Sequence, residues 1–173
     1  MKINKLAYII AKIKQKFISH DSEIISSFYR TRGMAVGKNC IICDFLPVTE
    51  PELVSIGNDC VISSEVSLIT HDHSINKVTK EGSNLFGRII IGNNCFIGQR
   101  SILLYGVELA DNIIVASGSV VTKSFLENNI IIGGNPAKVI GTWEEFKKNS
   151  CMAANRNELS GILNGNIKKL VKR

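Results

Sequence analysis

Residues 91–126 read IGNNCFIGQRSILLYGVELADNIIVASGSVVTKSFL, and their period decides the fold. Starting at Ile91 and stepping by six reaches Ile97, Leu103, Leu109, Val115 and Val121 in turn. An unbroken aliphatic series at that period fits neither a helix, with its repeat of about 3.6, nor a strand, with its repeat of about 2. The same step links Ile56, Ile62 and Leu68 upstream. The residue just before the aliphatic one is also apolar at Val61, Phe96, Ile102, Ile114 and Val120, while small residues stand two before it at Cys60, Cys95, Ser101 and Ser119. Glycine follows at Gly37, Gly57, Gly92 and Gly98, where a flat segment turns a corner. The physical solution is an all-β solenoid with three six-residue sides per coil. Its aliphatic residues point inward and stack on their equivalents in the next coil, building a core that no single repeat buries alone.

Working outward, residues 36–44 form an initial partial coil, and residues 44–55, with Pro47 and Pro51, break the period as an irregular edge. The stretch 74–88 is a polar excursion that leaves the solenoid and returns to it, which marks a functional loop. After Pro136 the repeat ends, and 143–148 and 157–172 read as two short helices, the second weakened by Gly161 and Gly165. At the other end, Ile3, Leu6, Ile10, Ile13 and Phe17 fall at helical spacing with lysines between them, so residues 3–18 read as an amphipathic helix. The preferred placement lays its apolar stripe on the end or side of the solenoid rather than on a membrane surface. The organisation is therefore an N-terminal helical segment over 1–35, the β-helix over 36–140 and a helical tail over 141–173.

Composition narrows the function classes. Of the 173 residues 45% are hydrophobic, yet no apolar run approaches the length of a membrane-spanning helix, and lysines interrupt any signal-peptide core near the N-terminus. A cytoplasmic location is expected by elimination. The net charge of +6 suggests nucleic acid until its distribution is considered. Residues 1–20 hold five Lys and no acid, residues 160–173 hold four Lys or Arg and no acid, and residues 21–159 carry −3. With the excess in two tails and no basic-aromatic interleaving, nucleic acid is not the partner. Contact of these basic termini with an acidic membrane surface is the less favoured reading, and solvated lysine-bearing helices the preferred one.

Three motifs then carry a resemblance: Ile91-Gly92-Asn93-Asn94-Cys95-Phe96-Ile97-Gly98, Gly118-Ser119-Val120-Val121-Thr122-Lys123, and Gly134-Asn135-Pro136-Ala137-Lys138-Val139-Ile140. Together they resemble the hexapeptide-repeat acyltransferases, of the galactoside, maltose and surface-polysaccharide O-acetyltransferase type, over about Val36 to Ile140. The resemblance implies a left-handed parallel β-helix, a homotrimer, acetyl-CoA as co-substrate with no metal required, and a small-molecule or glycan acceptor. It also implies a catalytic histidine where the coil begun at Ile62 gives way to the excursion. His71 and His73 both stand there, in Thr70-His71-Asp72-His73-Ser74. Spacing from Leu68 favours His73, whereas the Thr-His-Asp tripeptide favours His71, which is preferred. Asp72 orients either one only if the backbone turns there. His20, in a helix-end turn, is read as inert.

The chemistry implied is direct acyl transfer, in which a neutral imidazole takes the proton of an attacking hydroxyl. By the same resemblance Phe96 and Gln99 lie near the pantetheine, although the family commonly has Trp and Ser there. Ser117 and Gly118 offer backbone to the pantetheine amides, and Thr122, Lys123 and Lys138 face the nucleotide end, where cations suit phosphate. One of Cys43, Asp44, Glu50 and Glu52 is available to touch the acceptor. Cys40, Cys60 and Cys95 share one slot in the repeat and read as small buried residues rather than nucleophiles. Two other readings use the same fold: a γ-type carbonic anhydrase, which needs three histidines on zinc where the repeats supply two, and a non-catalytic binding or scaffold protein.

Overall fold

The computed structural model describes residues 4–19, 21–80 and 82–169. His20, Ile3 at the start of the expected first helix and 170–172 at the end of the expected last one lie outside the described residues. The chain divides into two compact units, 1–140 and 141–173.

Three parallel ladders make up most of the first unit. One joins Ala35–Val36, Val54–Ile56, Ile89–Ile91 and Glu108–Leu109. The next joins Ile41–Ile42, Val61–Ile62, Phe96–Ile97, Ile114–Val115 and Ile130–Gly134, with Ala137–Thr142 at its edge. The last joins Ser67–Ile69, Ile102–Leu104 and Val120–Val121. From Val54 to Val121 the chain visits the ladders in that order and then starts again. Ile90 pairs with Glu108, Phe96 with Ile114 and Ile102 with Val120, a step of 18 residues on every side. The expected three-sided winding is thus present as hydrogen-bond register.

The period of six follows from which residues can point inward. Ile91, Ile97, Leu103, Leu109, Val115 and Val121 are all buried, as are Ile56, Ile62 and Leu68. Corners impose a second constraint. A Cβ on Gly57 would lie 2.6 Å from the Gly92 carbonyl oxygen of the next coil, so only glycine fits. Another corner column consists of Asn39, Asp59, Asn94, Asn112 and Asn129, each with φ between 52° and 62°. Asn and Asp tolerate this left-handed conformation, and the side chains bond from coil to coil, as in Asn94 Nδ2 to Asn112 Oδ1 at 2.8 Å. The three aligned cysteines are buried free thiols. The Sγ atoms of Cys40 and Cys60 each donate to a carbonyl of the next coil, those of Gly57 and Gly92, at 3.1 Å.

The helical ends depart from expectation. The first helix, Lys5–Lys14, continues into a wider turn over Gln15–Ser19. It packs on the unit through Tyr8, with Ala7 and Ala11 beside it, while the expected core stripe stays outside: Leu6 is 65% exposed, Ile10 61%, Ile13 53% and Phe17 70%. The reason is aromatic. Tyr8 enters a cluster with Phe28, Tyr29 and Phe45 at centroid distances of 5.6, 6.2 and 5.3 Å, and the two alanines let the helix approach. Phe28 and Tyr29 belong to a second helix, Glu23–Arg30, that the sequence pattern did not separate from its surroundings. In the second unit the helix Trp143–Lys147 starts on a Thr142–Glu145 capping box. The last helix is shorter than expected, spanning Leu159–Leu163, and Gly165 at φ 81° follows its end.

Because Ile97 lies at 0% exposure with a coil on either side, Ile97→Ala should cost about 2–5 kcal/mol, whereas Ile41→Ala, at a position 49% exposed, should cost well under half of that. Urea denaturation of both variants measures the difference.

Candidate active site

The excursion leaves the third ladder after Ser67–Ile69 and returns before Ile89–Ile91. Its base is a short antiparallel pair, His71–Asp72 against Leu85–Phe86, closed by Gly87 N donating to Thr70 O at 3.1 Å. Between them lies a single helical turn, Asn76–Thr79, so the excursion is more ordered than a polar loop. Because the ladder resumes in register, with Ser67 opposite Ile102, the hairpin projects without disturbing the coils.

His71 occupies the junction. Its Nδ1 lies 2.9 Å from Glu50 Oε2, with the His71 side chain 33% exposed and that of Glu50 20%. Thr70, buried beneath, donates Oγ1–H to the same Glu50 oxygen. Burial opposes ionisation of Glu50, but the bonds from Thr70 and His71 outweigh it and hold the carboxyl below the usual carboxylate range. A carboxylate at Nδ1 fixes the proton on that nitrogen and leaves Nε2 with its lone pair. The Phe86 ring lies 5.8 Å from the imidazole, tilted by 47°, and is 57% exposed.

His73 differs. It is exposed, and its Nδ1 lies 2.7 Å from Asn84 Oδ1 and 2.9 Å from Asn76 Nδ2. The Asn76 side chain also bonds the backbone N–H and carbonyl of Ser83, so His73 is part of the loop's own bracing. Asp72 lies in the extended strand His71–Asp72, the turn following at Ser74–Ile75, and its side-chain hydrogen bonds go to neither histidine. It accepts from Ser74 N at 2.7 Å and from the Tyr105 hydroxyl at 3.2 Å, and these bonds hold its pKa down. Sequence reasoning had Glu50 only among four acceptor-contact candidates. The signal was the early coil step: Ala35 pairs with Ser55 and Ile41 with Val61, twenty residues apart, and the same interval carries Glu50 to Thr70.

The other expected residues sit elsewhere. Phe96 is exposed on the second ladder between Val61 and Ile114. Gln99 and Gly118 stack at the corner between the second and third ladders, Gly118 N donating to Gln99 O at 2.8 Å, with Ser117 alongside. Gly118, at φ 73°, has nothing within 4 Å of where a Cβ would stand, so that corner is open. Thr122 and Lys123 follow the third ladder, on the corner that carries His71 two coils earlier, and Lys123 Nζ lies 5.5 Å from the Phe125 ring. Lys138 is exposed on the strand Ala137–Thr142. One chain therefore puts His71 with Thr122 and Lys123 on one corner, and Gln99, Ser117 and Gly118 on the next, a whole six-residue side of about 20 Å away. Among the described residues no three His, Cys, Asp or Glu side chains come together as metal ligands.

Known proteins share this architecture. A family model described as hexapeptide repeat of succinyl-transferase matches residues 88–123. Protein CapG of Staphylococcus aureus is 38% identical over 147 residues, covering 80% of each chain. The galactoside O-acetyltransferase of Escherichia coli is 29% identical over 61% of this chain, and the match spans only 52% of that relative's length. Among solved structures, a galactoside acetyltransferase in complex with coenzyme A superposes with a TM-score of 0.59 at 24% identity, covering 83% of this chain and 82% of the other. A hexapeptide-repeat acetyltransferase from Vibrio cholerae gives 0.57 at 17%, covering 80% and 89%. At these identities the structural likeness is one of fold.

A carboxyl held below its unfolded pKa contributes stability that is complete above that value, ~4.3, and is lost as pH falls through the folded value. Glu50→Gln should therefore destabilise the chain by about 1–2 kcal/mol at neutral pH, and by steadily less below about pH 4. Calorimetric Tm differences across a pH series test this; a constant gap would place the stabilisation outside the titrating carboxylate.

Proposed function

The chain belongs to the hexapeptide-repeat acetyltransferases, a family of acyltransferase enzymes, and from that premise we propose that it is an acetyl-CoA-dependent O-acetyltransferase acting on a carbohydrate hydroxyl. In this reading the ladders wind as a left-handed parallel β-helix, which the fold of the superposed acetyltransferases supports. The observation that carries the mechanism is the Glu50–His71 pair at the mouth of the hairpin.

A sugar hydroxyl is a weak nucleophile while it keeps its proton. His71 Nε2 takes that proton as the hydroxyl oxygen bonds to the thioester carbonyl carbon. The carbon–sulfur bond then breaks, and the proton passes to the departing thiolate. Glu50 is a positioning residue, holding the Nδ1 proton and stabilising the imidazolium that forms in between. No acyl-enzyme is required, because both substrates are held together. Exposed Phe86, beside the imidazole, offers a face on which a pyranose ring can stack.

Acetyl-CoA is assigned to Phe96, Gln99, Ser117 and Gly118 for its pantetheine, and to Thr122, Lys123 and Lys138 for its phosphates. The open corner at Gly118 and the exposure of both lysines suit this. Since His71 and the Gly118 corner sit a full side apart in one chain, the complete cleft is assigned to the groove between neighbouring subunits of a homotrimer. The carbonic anhydrase reading draws no support from the way His73 is engaged by amides.

His71→Asn should lower kcat by about 10²–10⁴ with acetyl-CoA binding retained, and His73→Asn should cost far less. Release of free thiol from acetyl-CoA in the presence of a panel of sugars reads both; full activity in His71→Asn would remove this base from the mechanism. Lys123→Ala and Lys138→Ala should raise the KM for acetyl-CoA several-fold with kcat little changed, since they supply binding common to ground and transition states. A fall in kcat alone would misplace the phosphates.

A further inference from the structure

The first helix is held from one side and bare on the other. On its inner face Tyr8 is 5% exposed within the aromatic cluster, and Lys12 Nζ donates to Ile42 O at 3.2 Å. These contacts fix the helix's rotation. Its outer face consequently presents Leu6, Ile9, Ile10, Ile13 and Phe17, between 44% and 70% exposed. Large apolar side chains gathered on one exposed face mark an interaction surface.

The rim of this face says what it meets. Lys5 and Lys14 are exposed on the helix, and Lys16 is exposed in the turn that follows, its Nζ 5.3 Å from the Phe17 ring. Residues 1–20 contain no Asp or Glu, so the helix and its turn contribute only positive charge to the rim; Asp21 and Glu23 lie beside Ile10 and Lys14 on the side toward the second helix. A second copy docking by the same face would bring lysine against lysine, since a two-fold contact pairs a patch with itself. A bilayer with anionic headgroups accommodates both features: the apolar side chains enter the acyl boundary while the lysines extend to the phosphates. We propose that the helix Lys5–Lys14 and its turn seat this enzyme on an anionic membrane surface, with the helix axis in the plane of the interface. The reading is independent of which acceptor the active site takes.

The test is co-sedimentation of the full chain with vesicles of equal parts phosphatidylglycerol and phosphatidylcholine, against vesicles of phosphatidylcholine alone. The chain should pellet with the anionic vesicles, less so as salt is raised, and remain in solution with the neutral ones. Substituting Lys5, Lys14 and Lys16 by Gln together should weaken partitioning roughly a hundredfold. Ile10→Ser with Ile13→Ser should weaken it to a similar degree, roughly tenfold for each side chain. Both variants should keep the native circular dichroism spectrum, because neither touches the buried core. Failure to bind the anionic vesicles, or equal binding to both compositions, overturns the proposal. A smaller assembly for Ile10→Ser with Ile13→Ser than for the native chain in sedimentation velocity also overturns it, since the face would then belong to a second copy.

Discussion

Hydrogen bonds in the first unit run chiefly from coil to coil, and this one constraint organises the rest. Each backbone segment is satisfied by the segment one turn before and one turn after, as where Phe96 lies between Val61 and Ile114. A residue gained within a ladder strand would throw the later pairings out of register, whereas the irregular side before Val54 lengthens the first step to twenty and leaves them intact. Side length, corner chemistry and the inward column are therefore set together. The glycine at 57, the left-handed Asn and Asp column and the aligned cysteines answer one demand, close approach of adjacent coils.

The same constraint explains where chemistry can be placed. A segment can leave the ladder without penalty only if it returns in register, and the hairpin beyond His71 does so, with Ser67 and Ile102 still paired. Its base is anchored at Thr70, which is buried and accepts from Gly87 N. Stacking also delivers the carboxylate: Glu50 comes from the irregular side of the coil below and meets Thr70 and His71 from underneath. Two histidines only two residues apart thus receive different surroundings. One rests on a half-buried carboxylate and the other is braced by loop amides.

The helical N-terminus follows other rules. Nothing repeats there, so its position is set by one aromatic cluster. Tyr8 and two alanines proved a better fit to Phe28, Tyr29 and Phe45 than the larger aliphatic stripe, and that stripe was left facing outward. Apolar residues at helical spacing establish that a helix has an apolar face, not which surface covers it.

What the sequence by itself determined is what repetition makes visible. Residues 91–126 report the number of sides, the inward column and the corners because each coil obeys the same local rule, so six aliphatic positions testify to one geometry. The junction at His71 was visible for the related reason that the period stops there. Only the tertiary structure decided the rest. Glu50 and His71 are 21 residues apart, and Asp72 and Tyr105 33 apart; each pair meets because the coils stack. Which face of the first helix is buried depended likewise on residues from the second helix and from the edge at Phe45. A local period records what every coil shares. A contact made once, across coils, leaves no period to read.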